Sequence, residues 1–252
     1  MRKRGFWLLL VAIVLMGFTK NVYASEPIYY TTNNGIDLTR EEYEFLSQFY
    51  GRPYVDIMTQ DQYDEFIEED LLHSDVSYKT RTIQKSALVN PGNRPRSPYN
   101  KEGPKYVQIG AACLPTKCIM SLVANWEDGD PYTTSWDVIG AWFDDVAYIS
   151  HSHTYVSTDY YTYYFDNLKL EADGIGNSVD LPDDDSNYII NMAFSVTRGG
   201  TVYGSYQHAM ENTTLANSKL YTIDFSGYGN VFDFYGTASD VYDQMNGVDI
   251  NV

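Results

Sequence analysis

The chain has 252 residues, of which 17 are Lys or Arg and 34 are Asp or Glu, so its formal net charge is −17. An acidic surface of this kind repels nucleic acid and anionic membranes, which argues against both as partners. A hydrophobic content of 44% and 24 tyrosines exclude a disordered chain and predict a buried core.

The start of the chain predicts a secretory signal peptide over residues 1–24. A basic start precedes an apolar run, Gly5 to Phe18, and a polar stretch that ends at Ala24. We expect cleavage between Ala24 and Ser25. An uncleaved anchor is the alternative, although the apolar run is shorter than the roughly 20 residues that span a bilayer. Because cleavage removes four basic residues and no acidic ones, the net charge becomes −21, and we expect a secreted, extracellular protein without stable membrane insertion.

Two short helices are predicted next. Thr39 and Thr59 each stand where a helix N-cap belongs, and Glu42 and Gln62 follow three residues later to complete capping boxes. Gly51-Arg52-Pro53 ends the first helix, because proline disfavours helical geometry in the residue before it. The resulting helical hairpin either packs as a cap on the rest of the chain or forms a partner-binding module.

A basic segment separates these helices from the remainder. Residues 79–105 hold seven basic residues and one acid, and their centre is rich in Pro, Gly and Asn, which is typical of an irregular linker. Such a loop connects domains, offers a site for proteolysis or contacts an anionic polymer. The predicted organisation is a signal peptide at 1–24, a helical N-terminal module at 25–78, a linker at 79–105 and a β-sandwich domain at 106–252.

Cys113 and Cys118, the only cysteines, flank the turn sequence Leu-Pro-Thr-Lys between two strand-like runs. This arrangement predicts a disulfide. A structural zinc site is disfavoured because no second Cys/His pair has matching spacing. A catalytic cysteine is the remaining alternative, but no histidine base stands nearby.

From Tyr106 onward, hydrophobic and polar residues alternate with the period of two that is typical of strands. The fold class predicted is α+β, mainly β: an antiparallel β-sandwich of jelly-roll or Ig-like type, preceded by the short helical hairpin. Gly199-Gly200 predicts a tight hairpin turn between the strand at 188–196 and the one that starts at Thr201. Further strands are predicted at 106–112, 118–126, 136–143, 148–155, 160–170, 220–225 and 231–235, with a short helix at 239–245.

His151 and His153 stand two residues apart on a predicted strand, so both side chains are expected on one face. Two imidazoles at that spacing bind a divalent metal if a third ligand, such as His208 or a nearby aspartate, joins them. The other interpretation is a pair of solvated or hydrogen-bonded strand histidines without chemistry of their own.

The acidic run at 180–187 offers oxygen ligands at alternating positions, Asp183, Asp185 and Asn187. It lacks the glycine and the closing glutamate of an EF-hand loop. The two interpretations are a calcium site and a solvated acidic loop. No other cofactor is expected.

Aromatic residues supply the remaining candidate site. The run Tyr160-Tyr161-Thr162-Tyr163-Tyr164 alternates faces on a strand, so at least one tyrosine pair is expected to point away from the core. Flat, amphipathic rings of this kind make contact area with proteins and sugars. The predicted ligand-binding residues are Tyr160, Tyr161, Tyr163, Tyr164, Tyr206 and His208, and no catalytic residue is assigned.

The chain contains the sequences Gly204-Ser-Tyr-Gln-His-Ala209 and Tyr242-Asp-x-Met245-x-Gly-Val, together with the Leu-Thr and Met-Thr helix starts. In these features it resembles small exported proteins of Gram-positive bacteria that carry no assigned activity. The resemblance implies a secreted bacterial protein and brings no catalytic residues. We therefore predict a non-catalytic extracellular protein that binds a protein or glycan through exposed tyrosines. The alternative is a secreted hydrolase that uses a carboxylate pair or a His151/His153 metal site.

Overall fold

The computed structural model describes residues 27–83, 105–126, 135–158, 160–182, 188–225, 231–242 and 247–252. The predicted signal peptide with Ala24 and Ser25, and the acidic positions Asp183, Asp185 and Asn187, lie outside the described residues. The helices are α1 (Arg40–Phe49), α2 (Arg52–Ile57), α3 (Gln60–Glu68) and α4 (Leu215–Ser218), with 3₁₀ helices at Leu71–His73 and Gly236–Asp240. Within these ranges, no helix has the length and apolar character needed to cross a membrane.

Strands make up about half of the described chain. They are β1 (Tyr30–Thr31), β2 (Asp37–Leu38), β3 (Asp75–Ile83), β4 (Lys105–Cys113), β5 (Lys117–Trp126), β6 (Trp136–Asp144), β7 (Tyr148–Ser157), β8 (Thr162–Tyr164), β9 (Leu168–Glu171), β10 (Gly174–Asp180), β11 (Tyr188–Thr197), β12 (Thr201–Gln207), β13 (Tyr221–Ile223), β14 (Phe232–Phe234) and β15 (Val248–Asn251).

Two antiparallel sheets pack against each other as a sandwich. One has six strands in the order β3-β4-β5-β11-β7-β8, and the other has five in the order β15-β12-β6-β10-β9. Side chains such as Ile109, Leu122 and Met192 from the first sheet meet Ile139 and Tyr206 from the second in a fully buried core. The predicted fold class, a mainly-β antiparallel sandwich behind N-terminal helices, is confirmed.

The predicted hairpin between β11 and β12 is wrong. Strand β11 pairs with β5 on one side and with β7 on the other, so both of its edges are filled. Strand β12 pairs with β6 and β15 in the opposite sheet. The turn at 198–200 therefore crosses from one sheet to the other. Glycine is required there, because Gly199 has a φ of 106° and a Cβ on Gly200 would lie 2.0 Å from the carbonyl oxygen of Asp144.

Both predicted helix starts are confirmed. The Thr39 side chain accepts a hydrogen bond from the Glu42 N–H and the Thr59 side chain accepts one from the Gln62 N–H, and both reciprocal bonds are present. Helix α2 between them was not predicted. Pro53 lies in its first turn, where the missing N–H has no intrahelical partner to lose, so the Gly-Arg-Pro sequence ends one helix and begins the next.

The helices cover the outer face of the six-stranded sheet. Leu46 and Phe49 of α1 and Phe66 of α3 are buried, and they pack in one cluster with Ala112 and Ala193 of the sheet. These small alanines let the helical layer approach closely. The Tyr155 hydroxyl, on the same face of the sheet, donates a 2.6 Å hydrogen bond to the carbonyl of Tyr50 at the end of α1.

A second layer covers the outer face of the five-stranded sheet. It contains β13, β14 and the 3₁₀ helix at Gly236–Asp240, which pack with Val138 of β6 and with Tyr242. The sequence predicted both strands, at 220–225 and 231–235, slightly longer than observed. The helix predicted at 239–245 is replaced by this earlier 3₁₀ helix, and residues 243–246 lie outside the described residues.

Strands β3, β10 and β15 of the sandwich were not predicted, and one predicted strand was misjudged. Strand β3 pairs along the whole of β4, and it takes residues from both the predicted helical module and the predicted linker; residues 84–104 of that linker lie outside the described residues. Strand β10, Gly-Ile-Gly-Asn-Ser-Val-Asp, contains residues of low strand propensity, and its pairing with β6 and β9 overrides that preference. The strand predicted at 160–170 is divided between β8 and β9, which lie in different sheets.

The predicted disulfide is confirmed: Cys113 and Cys118 lie opposite each other at the end of the β4–β5 hairpin and are bonded. A Cys113→Ala/Cys118→Ala variant is expected to unfold with a free energy about 2 kcal/mol lower, because the bond closes a short loop in the unfolded chain. Urea unfolding of both proteins measures the difference. Reduction of the wild-type protein should reproduce it, and an unchanged stability after both treatments would contradict this estimate.

Candidate functional site

The candidate site is the edge tyrosine patch, which we define as Tyr160, Tyr161, Tyr163 and Tyr164. It lies at the turn between β7 and β8, on the edge strand of the six-stranded sheet. Thr158 holds the turn, because its side-chain hydroxyl accepts hydrogen bonds from the backbone N–H groups of Tyr160 (3.2 Å) and Tyr161 (3.1 Å). The rings are thus displayed by an ordered turn.

All four tyrosines of the patch are exposed, with relative accessibilities of 74%, 64%, 40% and 47% in chain order. The ring centres of Tyr160 and Tyr161 are 6.5 Å apart, and those of Tyr161 and Tyr163 are 6.2 Å apart, with tilted planes. Monomeric proteins seldom expose large rings side by side. Contiguous exposed aromatic surface therefore makes this edge the candidate contact site.

Tyr163 and Tyr164 lie on opposite faces of the edge strand. Tyr163 pairs with Val156, which points into the sandwich core, and Tyr164 pairs with Tyr155, which points toward the helices. The ring of Tyr164 lies 5.9 Å from that of Tyr155. Partial burial raises the pKa of Tyr164 from its ordinary value near 10 to about 12, and at neutral pH its hydroxyl is a hydrogen-bond donor, as in any tyrosine.

The sequence around the patch carries acidic but no basic side chains. From Thr158 to Leu168 the sequence contains no Lys, Arg or His, and the exposed Asp166 is adjacent to the patch along the chain. A carboxylate or phosphate ligand would meet tyrosine hydroxyl donors there but no cation from this segment. The patch suits neutral or basic ligands with apolar faces.

Tyr206 and His208, which were predicted as part of the binding surface, are buried. Their relative accessibilities are 1% and 3%. Tyr206 points into the sandwich core because β12 lies in the opposite sheet from β11, and its hydroxyl donates a hydrogen bond to the Oδ2 of Asp137. His208 Nδ1 lies 2.9 Å from the same Oδ2. Neither side chain belongs to the edge tyrosine patch.

Sequence reasoning missed Asp137, the centre of this buried network. It is fully buried, and its Oδ1 also accepts a 3.0 Å hydrogen bond from the backbone N–H of Ala209. The hydroxyl of Tyr242 donates to the carbonyl of the preceding Trp136. The one signal in the sequence was an acid inside the apolar run Trp-Asp-Val-Ile-Gly-Ala-Trp-Phe, which indicates a buried carboxylate with partners.

The prediction that His151 and His153 share one face needs correction. A β-bulge at Ser152 pairs His153 with Ala193, on the helical side, but His151 with Phe194, on the core side. The bulge adds one residue and reverses the alternation. The two imidazoles are thus not brought together, and in the described part of the chain no three His, Cys, Asp or Glu side chains form a group that could hold a metal.

Each histidine has its own environment. His151 Nε2 lies 2.8 Å from the Thr154 hydroxyl, and burial lowers the pKa of this imidazole. His153 Nε2 lies 2.9 Å from the Oδ1 of Asn191, and its ring stacks on Tyr54 of α2 with the centres 4.1 Å apart. Burial lowers the pKa of His153 to about 3, so the ring is neutral at physiological pH.

Comparisons with known proteins give distant likenesses. No family model and no curated protein match this chain. The pilus backbone RrgB of Streptococcus pneumoniae matches 37% of this chain and 25% of its own, with 11% identity and a TM-score of 0.27. The collagen-binding domain of the Erysipelothrix rhusiopathiae surface protein RspB matches 59% of this chain and 65% of its own, with 5% identity and a TM-score of 0.26. At these TM-scores, the likeness carries no conclusion about function.

Proposed function

We propose that this protein is a non-catalytic extracellular binding protein that contacts a protein or glycan partner through the edge tyrosine patch. The observation that carries the proposal is the exposure of four tyrosines, between 40% and 74% each, on one ordered edge. Tyrosine combines a large apolar ring with a hydroxyl and has few rotatable bonds to immobilise, so it is enriched where binding energy concentrates.

The surroundings of the patch support recognition of a surface rather than catalysis. The histidines nearest in sequence are turned to opposite faces of β7, and the buried Asp137 network occupies the other sheet. The patch itself consists of phenol rings, and among the described residues the carboxylate nearest to it along the chain is the exposed Asp166. An aromatic edge of this kind is suited to packing against apolar faces of a partner and to donating hydrogen bonds from its hydroxyls.

A Tyr161→Ser/Tyr163→Ser variant is expected to weaken partner binding at least about tenfold, because removal of central aromatic contacts costs more than about 1.4 kcal/mol. Binding is measured on a glycan array and by pull-down from culture supernatant. The unfolding free energy should stay within about 0.5 kcal/mol of wild type, since both side chains are exposed.

The matched control is Tyr235→Ser, which removes an equally exposed tyrosine, at 49%, from the other side of the sandwich. This variant should bind like wild type. The proposal fails if the double variant binds as tightly as the control, or if the wild-type protein retains no glycan or protein above the level of the double variant.

A further inference from the structure

We propose that the free edge of β8 binds an extended peptide of a partner protein by strand addition, so that the partner's backbone continues the six-stranded sheet. The inference rests on the proposed function and makes it specific, because the tyrosines of the patch flank this edge. In this mode, hydrogen bonds between the two backbones supply affinity, and the tyrosine rings contact alternate side chains of the added strand.

The positions of the hydrogen bonds between β7 and β8 show which backbone N–H and C=O groups of β8 face outward. Phe165 N–H donates to the carbonyl of Thr154 at 2.9 Å, and Thr158 N–H donates to the carbonyl of Tyr161 at 2.8 Å. In an antiparallel pair, hydrogen-bonded and non-hydrogen-bonded positions alternate. Tyr161, Tyr163 and Phe165 therefore direct their backbone groups toward β7, and Thr162 and Tyr164 direct theirs away from it.

Strand β8 is the last strand of its sheet in the described part of the chain. Natural edge strands are commonly protected by charged side chains or proline. The neighbouring edge, β9, has Lys169 paired with Glu171, and the far edge, β3, has Lys79 paired with Asp249. Strand β8 reads Thr-Tyr-Tyr, with high strand propensity and neither charge nor proline. It is the unprotected edge among these three.

The two patch tyrosines within β8 divide between the faces of the sheet. Tyr163 lies on the core side and Tyr164 on the helical side. An added strand would therefore contact one tyrosine ring on each of its two faces. Tyr160 and Tyr161 extend the contact beyond the end of the strand. Because the only charge nearby along the chain is acidic, the partner peptide is neutral or basic.

An extended peptide fits this edge better than a second copy of the chain. Pairing of two β8 strands would join only three residues on each side, and it would bring together two acidic chains, each of net charge −17 before the predicted signal cleavage. Three paired residues on each side make a small contact, whereas a stable interface buries roughly 1,000 Å². A glycan has no repeating N–H and C=O groups to match those of Thr162 and Tyr164.

The test starts from random linear peptides displayed on phage, selected on the wild-type protein and then synthesised for titration. Thr162→Pro removes the outward N–H but leaves all four tyrosines, and proline is tolerated where an edge N–H faces solvent. We expect it to weaken peptide binding at least about tenfold. Thr162→Val, which keeps the N–H and removes only the hydroxyl, should bind like wild type.

Amide hydrogen exchange of the wild-type protein gives a second measurement that needs no variant. Bound peptide should slow exchange at Thr162 and Tyr164, because their amides become hydrogen-bonded. Strand addition is overturned if no peptide is enriched, if Thr162→Pro binds like Thr162→Val, if these amides stay unprotected, or if the wild-type protein dimerises through this edge. If Tyr161→Ser/Tyr163→Ser loses partner binding while Thr162→Pro does not, the patch function stands and strand addition falls.

Discussion

An Asp137→Ala variant is expected to lose about 4 kcal/mol of unfolding free energy, because three buried donors lose their acceptor at once. Those donors are the Tyr206 hydroxyl, the His208 ring and the backbone N–H of Ala209. The carboxylate connects the central strand β6 to the end of β12. Its loss should therefore loosen the segment after His208 together with the second layer that packs there.

Chemical denaturation followed by circular dichroism measures the effect. Asp144→Ala is the matched control, since Asp144 lies at the other end of the same strand with an exposed side chain, and it should change stability by no more than about 0.5 kcal/mol. Asp137→Asn keeps one acceptor oxygen, so its loss of unfolding free energy should lie between those of Asp137→Ala and Asp144→Ala. A cost below about 1 kcal/mol for Asp137→Ala would show that the network does not stabilise the fold.

His153 is expected to make the protein less stable as the pH falls below about 6.5. Its pKa is lowered to about 3 in the folded protein, chiefly by burial between α2 and the sheet, whereas the unfolded chain has the ordinary value near 6.5. At a pH between these two pKa values, His153 is protonated in the unfolded state and neutral in the folded state. The contribution of the neutral His153 ring to the unfolding free energy is fully present above pH 6.5. It is lost progressively toward pH 3, and the loss amounts to about 3 kcal/mol at pH 4.

Urea unfolding at pH 7, 5.5 and 4 tests this expectation. In His153→Phe the titrating group is gone, so the difference between wild type and variant should shrink as the pH falls, even though the variant loses the bond to Asn191. His73→Gln is the control, because His73 is exposed on the surface. An identical pH dependence in wild type and His153→Phe would contradict a neutral, buried imidazole.

The environment of His153 explains why its protonation is costly. Its ring lies among Tyr50, Tyr54 and Tyr155, with no acidic side chain hydrogen-bonded to it, and its Nδ1 has no hydrogen-bond partner in the described part of the chain. A proton there would place a charge among aromatic rings between the helical layer and the sheet. Loss of this contact would first affect the attachment of the helices.

The edge tyrosine patch shows how far local sequence reasoning reaches toward a site. Clustered tyrosines on the strand predicted at 160–170 implied at least one exposed pair, and the structure places all four on the surface. The same reasoning failed for Tyr206, because its face depends on which sheet β12 joins. It also missed Asp137, whose partners come from residues about 70 positions away.

The β-bulge at Ser152 illustrates the same limit. Alternation predicted one shared face for His151 and His153, and no residue near them distinguishes a regular strand from a bulged one. The bulge places His153 among the tyrosines of the helical layer and His151 beside Thr154 on the core side. Only the packing of both faces at once selects it.

The sequence by itself determined the features whose energies arise within a few residues: the two capped helices, the disulfide at Cys113 and Cys118, and the alternation that makes the chain mainly β. The tertiary structure alone decided which strands are neighbours, where β3 and β10 pair, and which polar side chains are buried. The alternation of hydrophobic and polar residues indicates only that one face of a strand is buried. The sheet against which it is buried depends on the summed packing and hydrogen bonding of strands far apart in the chain.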